Sequence, residues 1–119
     1  MEAEWSRTLE GKLGLDRLIP ALREAAAPVG VRDLEWEFRR ATLTRDEITY
    51  KFDQYDDRET VERLYAEPVG TVYMVIALYS TDSREVAATA HLTYDGARTR
   101  LRVESSSVHL LERLREQFR

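Results

Sequence analysis

The chain is 119 residues long, carries a net charge of −4 and contains no cysteine. That length fits one domain able to bury roughly two-thirds of its unfolded surface, and the missing thiol excludes disulfides, thiolate zinc sites, iron–sulfur clusters and cysteine nucleophiles. The acidic balance provides no overall field for DNA or RNA, while the longest apolar run, Val72 to Tyr79, is far short of the roughly 20 residues of a membrane helix.

No basic segment followed by an apolar stretch opens the chain, so the expectation is a cytoplasmic protein with no membrane and no nucleic acid among its partners. Residues 1–12 read two ways. Trp5 and Leu9 are spaced for one helix face, whereas Trp5, Arg7 and Leu9 alternate as a strand does; the expectation is a short helix or an N-terminal arm. Next, Leu15, Leu18, Ile19, Leu22 and Ala26 form one helical stripe. Asp16 is its expected N-cap, Pro20 then falls in the first turn, and Pro28 with Gly30 ends it.

Leu34, Trp36 and Phe38 alternate with Glu35, Glu37 and Arg39, and Ile48, Tyr50 and Phe52 with Thr49, Lys51 and Asp53. A turn at Arg45–Asp46 would set the two apolar faces out of phase. A three-residue loop, Thr44 to Asp46, pairs Phe38 with Phe52, so an odd loop or a bulge is expected there. Four carboxylates follow within seven positions: Asp53, Asp56, Asp57 and Glu59. Counted from Asp53, Tyr55, Arg58 and Leu64 stand where a calcium loop needs a donor, a glycine and a glutamate, so that motif fails. The Asp56–Glu59 spacing instead suits a capping box, ahead of a helix whose apolar stripe is Val61, Leu64 and Tyr65.

Val72, Met74, Ile76 and Leu78 share one strand face and Tyr73, Val75, Ala77 and Tyr79 the other. Apolar on both sides, this strand reads as central and covered on both faces. Asp95–Gly96 signals a hairpin; setting Tyr94 opposite Ala97 puts Leu92, Ala90 and Ala88 against Thr99, Leu101 and Val103, and His91 against Arg100. A serine at 105, 106 or 107 caps a last helix with Leu110, Leu111, Leu114 and Phe118 on its apolar face. The expected fold is a single α+β domain over residues 1–119, a five-stranded antiparallel sheet with helices packed on it, in the order α-β-β-α-β-β-β-α. That order resembles roadblock-type and profilin-like domains, a resemblance of element order alone that implies no function.

Candidate binding residues are Arg98, Arg100 and Arg102, His91, Tyr73 and Tyr79. The arginines recur with period two, on one strand face and roughly 7 Å apart. They either receive an oxyanion or acidic partner or pair with acids across neighbouring strands. Beside Arg100, His91 would be held neutral, as a general base or as a plain strand residue. His109 has no identifiable partner, the serines lack a nucleophile elbow, and two histidines without a third ligand make no zinc site. No cofactor motif and no catalytic set is present. The expectation is a non-enzymatic protein–protein interaction module, an adaptor, regulator or small inhibitor of the immunity type, that self-associates as a homodimer. The alternative is a sensor domain for an anionic small molecule, with a pocket between sheet and helices lined by Trp36, Tyr50, Tyr73 and Tyr79. An enzyme using His91 and a carboxylate is a third reading.

Overall fold

Residues 3–10 form a strand, β1 (Ala3–Glu10), in place of the expected short helix or arm. The computed structural model that shows this describes residues 2–29 and 33–119. Ala3, Trp5 and Leu9 alternate inward, and Trp5 packs its ring 5.8 Å from Phe118 near the far end of the chain. The deciding partner is therefore remote in sequence, which local helix spacing cannot reveal.

After β1 come α1 (Leu15–Ala26) with a short 3-10 turn (Ala27–Val29), β2 (Leu34–Arg45), β3 (Ile48–Asp53), α2 (Arg58–Ala66), β4 (Val72–Ser80), β5 (Val86–Tyr94), β6 (Arg98–Ser105) and α3 (Val108–Gln117). The sheet has six strands, not five, in the spatial order β1-β6-β5-β4-β2-β3, with every neighbouring pair antiparallel. The element order gains a leading strand, so the expected α-β-β-α-β-β-β-α order is corrected.

The helix stripes are those expected. Leu18, Ile19, Leu22 and Ala26 of α1, Val61 and Tyr65 of α2, and Leu110, Leu111 and Leu114 of α3 are buried, as is Phe118 just beyond it. They join Trp36, Phe38, Ala41, Leu43, Met74, Ile76, Leu78, Leu92, Leu101 and Val103 in one core. All three helices therefore lie on one face of the sheet. The expectation that β4 is covered on both sides is not met: Tyr73 on its other face is 38% exposed.

Caps differ by a residue or two from their expected places. Gly14, not Asp16, is the N-cap of α1 and supplies no side-chain bond, so Pro20 lies inside the helix; Gly30 is outside the described residues. Asp57, not Asp56, caps α2, accepting from the Glu59 amide at 3.1 Å and the Thr60 hydroxyl at 3.0 Å. Asp56 accepts from the Asp53 amide (2.7 Å), and Asp53 from the Tyr55 amide (2.8 Å). Three of the four acids, Asp53, Asp56 and Asp57, thus hold the chain's entry into α2.

The β2–β3 hairpin turns on two residues, Asp46 and Glu47, both left-handed at φ 50° and 67°. This is the primed geometry that matches strand twist. It pairs Arg45 with Ile48 and Ala41 with Phe52, so Phe52 does not meet Phe38. The phase is restored earlier, by a bulge at Arg39 between the Phe38 and Arg40 pairings to β4. One extra residue there moves the buried positions from Trp36 and Phe38 to Ala41 and Leu43. In the β5–β6 hairpin Tyr94 faces Thr99 and His91 faces Arg102, two residues away from the expected register. A slip of two keeps each side chain on its expected face. The turn is held by Asp95, whose carboxylate accepts from the Ala97 and Arg98 amides at 2.8 and 2.7 Å.

Candidate functional site

The helix-free face of the sheet carries all six candidate residues. Cross-strand pairing arranges that face in rungs. One rung runs Glu37, Ala77, Thr89, Glu104, Glu4. The next runs Asp53, Arg40, Val75, His91, Arg102, Ser6, and the third Lys51, Thr42, Tyr73, Thr93, Arg100, Thr8. Glu35 and Tyr79 lie paired beyond the first rung. Along the strands the face therefore passes from an end with four glutamates, Glu35, Glu37, Glu104 and Glu4, beside which Arg39 and Arg84 also stand, to a rung that holds two cations, four hydroxyl groups and no acid. Tyr73, Val75, Ala77 and Tyr79 draw an apolar line between these ends on β4, one of the two central strands.

The cross-strand pairing reading of the arginine row holds for two of its three members. Arg98 pairs with Glu10 at 3.1 Å, and Arg102 with Glu104 and, at 3.4 Å, with Glu4. Arg100 has no carboxylate partner among the described residues, because Thr8 and Thr93 flank it. With His91, Thr93, Tyr73 and Arg102 it lines a cavity of 280 Å³. Tyr79 lies apart from this cavity, under the guanidinium of Arg84 at 6.0 Å.

The His91 side chain is 19% exposed. Its Nδ1 is buried without a hydrogen-bond partner among the described residues, and Nε2 lies 3.5 Å from Glu104 Oε1. Burial first, and the Arg102 guanidinium second, lower its pKa from the usual histidine value, partly offset by Glu104 and Glu4. At 3.5 Å the imidazole is beside Glu104 and outside good hydrogen-bond geometry; that carboxylate oxygen is already bonded to Arg102. The pair gives little support to the third reading, a general base with an orienting acid.

Ser105 and Ser107 serve the fold. Ser105 donates to the Ala87 carbonyl at 2.7 Å and accepts from the Ser107 amide at 3.0 Å, and Ser107 caps α3 through the Leu110 amide at 3.2 Å. The His109 side chain is 89% exposed beside Glu112. Among the described residues, no three His, Asp or Glu side chains are placed to hold a metal ion. No described helix is long and apolar enough to cross a membrane.

The expected pocket of Trp36, Tyr50, Tyr73 and Tyr79 is not assembled. Trp36 belongs to the helix-covered face, and so does Tyr50, opposite Leu43; Tyr73 and Tyr79 belong to the other face. A different cavity was not legible in the sequence. It measures 590 Å³ and lies between α1, α2 and the sheet, with Trp36 in its lining. Helix α1 packs beside α3, whereas α2 leans on β2, so the two helices stand apart over the sheet. No family model matches the chain, and neither does any curated protein or solved structure.

Proposed function

We propose that this chain is a non-enzymatic protein-interaction module that pairs with a second copy of itself through the open sheet face. The observation that carries this reading is the end-to-end division of charge on that face. A twofold axis lying in the face and crossing the strands between the Val75 and Ala77 rungs lays the acidic end of one copy over the basic end of the other. Glu35 and Glu37 of one copy, paired within their own chain with Arg23 at 3.9 Å and Arg39 at 3.2 Å, then meet Arg40 and Lys51 of the second, two cations with no ion pair within their own chain among the described residues. An axis along the strands would oppose like charges, which costs binding energy. The size is suitable: six strands of about eight residues cover roughly 24 by 26 Å, close to the ~800 Å² per partner of a standard interface. The central Tyr73, Val75 and Tyr79 supply the apolar contact, with a charged rim around them.

Sedimentation equilibrium tests the reading through a charge swap. Glu37→Arg and Arg40→Glu each weaken the dimer at least about tenfold, a change of ~1.4 kcal/mol, and the double variant restores it. A chain that stays monomeric at high micromolar concentration, or single variants that dimerise like the wild type, overturns it. A sensor for a small anion draws support from one observation, the acid-free cavity at Arg100. Calorimetry with inorganic phosphate, on wild type and Arg100→Ala, tests that second reading; heat lost in the variant favours it.

A further inference from the structure

The 590 Å³ cavity between α1 and α2 is on the opposite side of the sheet from the proposed dimer face, and neither reading above uses it. Its volume lies within the range of small-molecule sites. Leu15, Ile19, Pro20, Trp36 and Ala66 give it an apolar wall, and Tyr65 lies at its base with its hydroxyl donated to the Leu13 carbonyl. Three charged side chains line it: Lys12, Asp16 and Glu62.

These charges are not equally available. The Lys12 ammonium is bound to the Tyr65 and Glu67 carbonyls at the end of α2 and lies 4.9 Å from the Tyr65 ring centre. Glu62 has a loose pair with Arg58 at 3.7 Å, and Arg58 lies outside the lining, stacked 4.5 Å over Trp36 and donating to its carbonyl. Asp16 has no ion pair or side-chain hydrogen bond among the described residues. Its carboxylate folds back over Gly14, where a Cβ would collide with it. Pro20 adds a second acceptor. Four residues after Asp16, it has no N–H for the Asp16 backbone carbonyl, which loses its α-helical donor on the face that lines the cavity. The lining of an apolar cavity thus offers one carboxylate without a partner among the described residues, one helix carbonyl without its usual donor and one weakly held carboxylate, while its own cation is bound to two carbonyls.

We infer that the cavity binds an amphipathic cation, a ligand with an aliphatic or aromatic body against Trp36, Ile19 and Pro20 and an ammonium group donating to Asp16. An ammonium carries three donors and no acceptor, matching what Asp16 lacks. A carboxylate ligand would face Asp16 and Glu62, with the bound Lys12 and the uncapped N-terminus of α1 as its counterweights.

Trp36 is a built-in reporter, and Trp5→Phe removes the other tryptophan while keeping an aromatic contact to Phe118. Octylammonium, octanoate and octanol are titrated against Trp5→Phe below their aggregation limits. The expected result is a saturable Trp36 change for octylammonium, at least about tenfold tighter than for octanoate, with Asp16→Asn abolishing that preference. Ala66→Phe, which fills the wall, is expected to abolish binding of all three probes while the circular dichroism spectrum is kept. If Trp5→Phe fails to fold, calorimetry on the wild-type chain carries the same comparison. Equal affinity for octanoate, no saturable binding of octylammonium, or full binding in a folded Ala66→Phe variant each overturn the inference.

Discussion

Arg100 and Leu101 are adjacent on β6, yet they belong to two surfaces that obey different rules. Leu101 is fully buried under the helices. There apolar side chains hold three helices to the sheet, and burial stabilises each by about 1.5–3 kcal/mol. Arg100, one residue away, points to the face with no helix, where charges and hydroxyls stand in ordered rungs. The comparison separates what keeps the fold from what is free to act. On the covered face composition is dictated by packing; on the open face a similar sheet would tolerate many other side chains, so its ordered division of charge is the more informative feature.

The largest test of this contrast is Leu101→Ala against Arg100→Ala. Chemical denaturation should show a loss of about 2–5 kcal/mol for the first, since a cavity opens in the core. The second should stay within about 0.5 kcal/mol of the wild type. An equal loss at both positions would mean that the open face is structural. Next in size is Tyr65→Phe, which deletes the hydroxyl bond to the Leu13 carbonyl that ties α2 to the β1–α1 connection. Thermal unfolding should register a loss of about 1–3 kcal/mol, the cost of leaving a buried acceptor unpaired. Ser107→Ala removes the α3 cap and should cost about 1 kcal/mol, with no effect on dimerisation.

The smallest effect is also the one that blurs the contrast, because His91 is a mostly buried group on the open face. Its pKa in the folded chain is lowered, chiefly by burial and then by Arg102. The unfolded chain therefore binds the proton more readily, and stability rises with pH between the folded value and the unfolded value near 6.5. This contribution is fully present above that value and is lost as pH falls through the window below it. Urea midpoints across mildly acidic pH should fall in the wild type and fall less in His91→Gln. Parallel curves would assign the acid sensitivity to another group.

How much of this was readable from the residues follows the range of each cause. The stripes of α1, α2 and α3 recur every three or four residues, and each is buried where its spacing placed it, apart from half-buried Leu15 and Leu64. The faces of β5 and β6 also survived, because the period-two pattern is unchanged by the two-residue slip in register. β1 carries no local signal that separates strand from helix, because its partner strand is β6, at the other end of the chain. The phase change lies at the Arg39 bulge and not in the hairpin loop, a position the residues do not mark because two adjacent arginines identify no face by themselves. All six candidate residues of the open face share a surface; alternation puts His91 with the three arginines, whereas Tyr73 and Tyr79 join them only through the β4–β5 pairing, which alternation alone does not give. Their pairing with Glu4 and Glu10 depended on the unrecognised strand. The cavity between α1 and α2 depends on how far apart two helices stand, a distance no local pattern encodes.

The β1–β6 ladder has a kinetic consequence. Ala3 pairs with Ser105 and Glu10 with Arg98, so nearly the whole chain is closed into a loop before those hydrogen bonds can form. Loop closure on that scale is slow and entropically costly, whereas the β2–β3 and β5–β6 hairpins need only short turns. β1 should therefore dock last in refolding, and its amides should be among the first to exchange with solvent. Until it docks, β6 is an edge strand with its backbone groups unpaired, a template for a neighbouring molecule's strand. Nascent or stressed chains are most exposed to aggregation along β6, next to the surface on which the finished protein is proposed to meet its own copy.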